Sequence, residues 1–188
     1  MRFALCLSGD PRYFENSINS IIENIINVNK CDVFAHFWIR DKNTNEYKTL
    51  IENGAPNIDF MAEHCHEFIE KLKSKIQFKV LETEINRYFQ TDLFIPDNFD
   101  DTNIEQIKSV KRFNIAVQSQ FYSVYEANNL KKLYEKKYGF TYDGVMRLRP
   151  DVLIDFPIDF SKFDLKKFYA TLIDGNYMYD HMMLSNSN

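Results

Sequence analysis

Residues Phe3–Leu7 form an uninterrupted apolar run closed by Ser8-Gly9-Asp10-Pro11, which predicts a short strand buried on both faces. Beyond Tyr13 the period changes. Phe14, Ile18, Ile21, Ile22, Ile25 and Ile26 recur at three- and four-residue steps, the mark of an amphipathic helix of about four turns. Cys31–Trp38 then reads as a second strand. Strand, helix and strand in succession predict a βαβ unit, with parallel strands and a right-handed crossover.

The polar stretch after Arg40 predicts a short helix over 45–52 and a turn at Asn53-Gly54. Residues 63–75 predict a helix with Phe68, Ile69 and Leu72 inward, and Ile76, Phe78 and Val80 then alternate as a strand. Residues 90–103, with Pro96 and several Asp and Asn, read as a loop. The strongest helical pattern spans Ile104–Tyr138, with Ile107, Val110, Phe113, Val117, Phe121, Val124, Tyr125, Leu130 and Leu133 as its apolar positions. Thr102 or Asn103 suits its N-cap and Gly139 its C-terminal stop; one helix, or two broken near Asn128-Asn129, fits the pattern. Tyr142–Leu148 predicts a strand that Pro150 ends, and 168–173 and 177–184 predict two more about an Asp174-Gly175 turn. The organisation is α/β in a single domain, 1–188.

Composition narrows the class. At 188 residues the chain can bury roughly 70% of its unfolded surface. A 45% hydrophobic share with five Gly and five Pro excludes a disordered or collagen-like chain. The 23 basic and 27 acidic residues leave a net charge of −4, against an extended nucleic-acid footprint but not against a nucleotide, which one or two Arg can hold. Cys6, Cys31 and Cys65 give no disulfide framework, which suits a reducing cytoplasm. No apolar run approaches the roughly 20 residues of a membrane span, and the first is too short for a signal segment. The aromatic share, 15%, has no single explanation in the sequence.

Candidate chemistry gathers at predicted strand ends, where open α/β sheets bind ligands. Ser8, Gly9 and Arg12 follow the first strand, Gly9 allowing close backbone approach and Arg12 offering a fork for phosphate or carboxylate. The local pattern is neither a dinucleotide fingerprint nor a P-loop. Arg147, Arg149 and Asp151 share one face of a strand under period two. They form either a ligand site or an internal Arg–Asp ion-pair network. His36 and Trp38 end the second strand and either line the same crevice or pack in the core. Gln118 and Gln120 lie amid apolar neighbours and require partners, from a ligand or from backbone. Asp180, before His181, is a candidate base or sugar-hydroxyl ligand. His64, Cys65 and His66 look like metal ligands, but in a helix the two His diverge, and no second ligand pair appears.

Four segments in order carry a resemblance: Ala4–Arg12, Asp32–Trp38, Gln120–Ser123 and Tyr142–Asp151. Together they resemble a family of bacterial and large-virus glycosyltransferases with the GT-A nucleotide-diphospho-sugar transferase fold. The resemblance implies a mostly parallel central sheet flanked by helices. It implies transfer of a sugar from a UDP- or GDP-sugar donor to an acceptor hydroxyl on a glycan. It places Ser8, Gly9, Arg12, His36, Trp38, Gln120, Arg147 and Arg149 at the donor and Asp180 on the acceptor side as base. GT-A enzymes carry an Asp-x-Asp that holds Mn²⁺ or Mg²⁺ against the diphosphate. This chain reads Arg149-Pro150-Asp151 there, so Asp151 matches the second carboxylate and Arg149 stands in place of the first. Two alternatives follow: Asp151 binds the metal alone, or Arg149 supplies the positive charge itself. The chain is short for a transferase with a full acceptor half, which keeps open a non-catalytic nucleotide-sugar or glycan-binding module.

Overall fold

The computed structural model describes residues 1–11, 14–38, 66–84, 93–173 and 177–187. Six strands form one sheet: β1 (Phe3–Gly9), β2 (Asp32–Trp38), β3 (Phe78–Glu84), β4 (Gly144–Leu148), β5 (Tyr169–Ile173) and β6 (Tyr177–Ser185). Their spatial order is β3-β2-β1-β4-β6-β5. β1 pairs in parallel with β2 and β4, and β2 in parallel with β3. β6 runs antiparallel to both β4 and β5. The fold is therefore α/β around a mixed six-stranded sheet.

The apolar run of β1 has the expected consequence: all seven residues are buried. Its odd-numbered side chains, Phe3, Leu5 and Leu7, join one core with Val33, Ala35 and Phe37 of β2. Ala4 and Cys6 join Phe34 in a second, smaller core on the opposite face. Period two thus splits one continuous run between two layers. Leu5 and Leu7 are fully buried, so truncating either to Ala costs about 2–5 kcal/mol.

The larger core is covered by α1 (Phe14–Ile21) and α2 (His66–Lys75), through Phe14, Ile18, Ile21, Ile69 and Leu72. The predicted inward positions Ile69 and Leu72 are buried, and Ile76 beyond the helix joins them. α1 continues into a π-helical turn, Ile22–Ile26, and ends at Asn27–Asn29. Its polar side clamps the chain beyond β4. Ser17 Oγ donates to Pro150 O, Ser20 Oγ accepts from Ile154 N, and Asn24 and Asn29 donate to Ile154 O and Ile158 O. In a π turn residue i+5 returns above residue i, and the five-residue step from Asn24 to Asn29 crosses that turn. The calls on 45–52, Asn53-Gly54 and Asp174-Gly175 lie outside the described residues.

α3 (Ile104–Tyr138) covers the second face as one unbroken helix, so no break occurs at Asn128-Asn129. Asn103 is its N-cap, accepting from the N–H groups of Glu105 and Gln106 at 3.0 and 3.2 Å. Gly139, at φ 69°, ends it in the left-handed region and donates to Glu135 O. Leu130 is buried as its apolar pattern implies, but much of the inward face differs from the apolar positions that announce the helix. Phe121 and Tyr125 are 70% and 63% exposed, whereas Asn114, Ser123, Lys131 and Glu135 are buried. Hydrogen-bond partners from distant segments make those polar residues the inward ones: Asn114 Oδ1 accepts from Phe94 N and its Nδ2 donates to Phe94 O, and the partners of the other three are described below.

Candidate functional site at the carboxyl ends of the strands

The strand order reverses at β1: β2 and β3 lie on one side, β4 on the other. A crevice at such a reversal, outside the carboxyl ends of the strands, is the usual ligand position in open α/β sheets. On the α3 side of this end sit Ser8 of β1, His36 of β2, Arg147 of β4 and Gln120 of α3. Ser8 and His36 are register partners, and Arg147 Nε donates to Ser8 Oγ at 3.3 Å. Arg147 is only 7% exposed, so the sheet holds a guanidinium inside its carboxyl end. Gly9 follows at φ 115°, a backbone region that L side chains rarely adopt. A Cβ there would meet Gln120 Oε1 at 3.5 Å, so the amide lies directly over the end of β1. Gln120 Nε2 is buried and makes no hydrogen bond. A buried donor left in this way costs free energy that an acceptor oxygen would recover.

Arg149 and Asp151 form a bidentate pair. Arg149 Nε donates to one carboxylate oxygen at 2.9 Å and Nη2 to the other at 2.5 Å. Both side chains are largely shielded, at 22% and 14% exposure. Val152 N donates to Arg149 O at 3.4 Å across Pro150-Asp151, and the Ser17 bond to Pro150 O ties this turn to α1. Of the two sequence alternatives for this face, the ion pair is formed by Arg149 and Asp151, while Arg147 turns to Ser8.

His36 and Trp38 lie at the same end but are engaged in packing. His36 is 2% exposed, with Nδ1 3.0 Å from Ser123 Oγ and Nε2 3.3 Å from Glu84 Oε2. Burial pushes the imidazole below its ordinary range, against the pull of Glu84, so it is neutral at pH 7. Ser123 Oγ donates its one proton to the carbonyl oxygen of His36 at 2.9 Å, so the same hydroxyl meets both the backbone and the Nδ1 edge of this residue. Trp38 and Tyr122 stand edge-on to it at 5.4 and 5.6 Å, and Trp38 Nε1 donates to Ser119 O. The motif Gln120–Ser123 thus divides its work: Gln120 faces Gly9, while Tyr122 and Ser123 lock His36.

Arg12, His64 and Cys65 lie outside the described residues. Asp180 is on β6, just before the Met182 that pairs with Leu148, so its backbone extends past the carboxyl end of β4. The two described thiols are poor nucleophiles, since burial raises both Cys6 and Cys31 to about 12. Sequence reasoning missed Ser123 and Glu84 as partners of His36. The signal was weak: a Ser in a helix facing a His on a strand is visible only once the two elements pack.

The residues present do not fit a divalent cation at Asp151. Both carboxylate oxygens are taken by Arg149, and a cation there would sit beside a guanidinium. Among the described residues no group of three or more His, Cys, Asp or Glu could hold a metal ion. Among them, too, no helix is long and apolar enough to cross a membrane. Comparison with protein families, curated proteins and solved structures returned no match for this chain. What fold and site define is a class: an α/β domain with a buried, arginine-bearing polar cluster at the reversal point of its sheet.

Proposed function

We propose that this chain is a nucleotide-sugar-dependent glycosyltransferase of the GT-A type, with the donor diphosphate lying across the carboxyl ends of β1 and β4. The observation that carries this reading is the gathering of Ser8, Gly9, Gln120 and Arg147 at the reversal point of the sheet, with the Arg149–Asp151 pair in the turn just beyond β4. The ordered resemblance of four segments supports it. In the reaction an acceptor hydroxyl attacks the anomeric carbon. The bond from that carbon to the phosphate oxygen breaks, and the diphosphate leaves with the electron pair. Guanidinium groups at the strand ends meet the charge that develops on the leaving oxygens. The acceptor proton passes to a base, for which Asp180 is the candidate in an inverting course.

A thermal-shift panel of UDP- and GDP-sugars tests this. The reading predicts stabilisation by at least one donor, and a loss of about tenfold or more in affinity for Arg149→Ala. Failure of every donor to stabilise the protein would contradict it. A second reading, a non-catalytic nucleotide-sugar or glycan-binding module, is favoured by Asp151, which is held by Arg149 and so is not a free base. Donor binding without hydrolysis or transfer across an acceptor panel would select that reading.

A further inference from the structure

Two lines of residues run along opposite sides of α3. Ser123, Ala127 and Leu130 follow one another at steps of four and three and are buried against the sheet. Phe121 lies two residues before Ser123, about 200° round the helix. Its line runs through Lys111, Asn114, Phe121, Tyr125, Lys132 and Lys136, at steps of three, four and seven. On this outer line Phe121 and Tyr125 are exposed, and so are the three lysines. Asn114 is buried because its amide holds the backbone of Phe94, whose ring stands edge-on to Phe113 at 6.3 Å. The covering segment shows its own apolar side chains to solvent: Leu93, Phe94 and Ile95 are each at least 50% exposed. Between them and Phe113 lies a groove of about 560 Å³, lined by apolar side chains and Ser109. Large apolar side chains gathered in this way mark an interaction surface.

We propose that this side of α3, with residues 93–95 beside it, docks the protein on an anionic lipid surface. Charge selects the occupant. Among the described residues no carboxylate pairs with Lys111, Lys132 or Lys136. The carboxylates of α3 lie elsewhere. Glu105 pairs with Lys108 in the first turn, Glu135 is buried, and Glu126 sits one position past Tyr125, about 100° round the helix. Asp97, Asp100 and Asp101 are exposed but precede Asn103, so they bound the surface at the amino end of the helix. The outer line is thus positive in a chain whose net charge is −4. A second copy laid antiparallel about Phe121 and Tyr125 would set Lys111 against Lys136, and a parallel copy would set each lysine against itself; both arrangements repel. An anionic bilayer suits both chemistries. Its headgroups attract the ammonium groups, and Phe121 and Tyr125 enter the boundary of headgroup and acyl chain. The lysine stems lie along that apolar layer while their charges stay in water.

The test uses the full chain and co-sedimentation with vesicles of phosphatidylcholine alone, or of phosphatidylcholine mixed equally with phosphatidylserine. Binding to the anionic vesicles should be about tenfold tighter or more, and should fall as salt is raised. Lys132→Gln with Lys136→Gln should weaken it about tenfold or more, and so should Phe121→Ser with Tyr125→Ser. All four side chains are exposed, so both double variants should keep the wild-type circular dichroism. In Phe121→Trp, brominated acyl chains should quench emission beyond any quenching of Trp38 in the wild-type protein. Absent binding, equal binding to both vesicles, or binding that survives both double variants would overturn the proposal. Binding to polyglutamate but not to vesicles would overturn it in favour of an acidic protein partner. A dimer in analytical ultracentrifugation that Phe121→Ser dissociates would overturn it in favour of a second copy. Each outcome is read without nucleotide, so it decides the lipid surface apart from the donor site.

Discussion

The two ends of the sheet under α3 both contain buried charge, and they treat it differently. At the amino end, Lys131 is fully buried and donates to Glu135 Oε2 at 3.1 Å and to Ser187 Oγ. Glu135 Oε1 accepts from Tyr142 N at 2.8 Å and from Ser187 Oγ at 2.6 Å. Tyr142 Oη donates to Asp32 at 2.6 Å, and Asp32 is paired with Lys79 at 3.3 Å. Each carboxylate there has internal partners, so the end is closed. At the carboxyl end, Gln120 Nε2 is buried without a partner, Gly9 adopts an unusual backbone, and two Arg lie within the shielded layer. Satisfied polar networks rigidify a fold, whereas a buried donor left unmatched at the strand ends, as Gln120 Nε2 is, marks a place for a ligand.

This contrast can be broken most severely at the closed end. Lys131→Ala leaves the Glu135 carboxylate buried without its cation and should cost about 3–5 kcal/mol in denaturant unfolding. A cost below ~1 kcal/mol would show that the network is not closed. Gly9→Ala forces a side chain into a region where φ is 115° and should cost about 1–3 kcal/mol. It should also weaken donor binding, since the new methyl group stands between β1 and Gln120. Unchanged stability would contradict the strained backbone.

The pH dependence separates the ends more finely. His36 has a depressed pKa in the fold, so below its ordinary 6.5 the unfolded chain binds more protons, and stability falls as pH drops through the folded value. At Glu135 burial raises the carboxyl, but the bonds from Ser187, Tyr142 and Lys131 outweigh it and hold the pKa below 4.5. Its contribution is present above 4.5 and is lost as pH falls through the depressed folded value. The account therefore predicts two acid-side losses, the first removed by His36→Asn and the second by Glu135→Gln. A single loss insensitive to both variants would refute that division. The smallest effect is that of Ser8→Ala, which removes a 3.3 Å bond to Arg147 and should cost about 1 kcal/mol or less.

Local features of this fold were legible in the sequence because their causes are local. An apolar run bounded by turn residues gave β1, and Asn103 and Gly139 marked both ends of α3. The Arg149–Asp151 pair was visible as one of two alternatives because its members are only two residues apart. The inward face of α3 was legible only in part, at Leu130. Phe121 and Tyr125 announce the helix yet point outward, while Ser123 and Lys131 turn inward for partners at His36 and Ser187. Strand order escaped for the same reason, since the antiparallel placement of β6 between β4 and β5 is a long-range fact. At the site, Gly9 and Arg147 were chosen from position and residue type, but the seat of Gln120 over Gly9 required the packed helix.

Chemical-shift mapping during titration with UDP- and GDP-sugars tests the central claim most directly, because it reads both ends of the sheet at once. The account predicts shifts at Ser8, Gly9, Gln120, Arg147 and Arg149, with Lys131, Glu135 and Tyr142 unmoved. Shifts confined to the amino end, or none at either end with every donor, would contradict it.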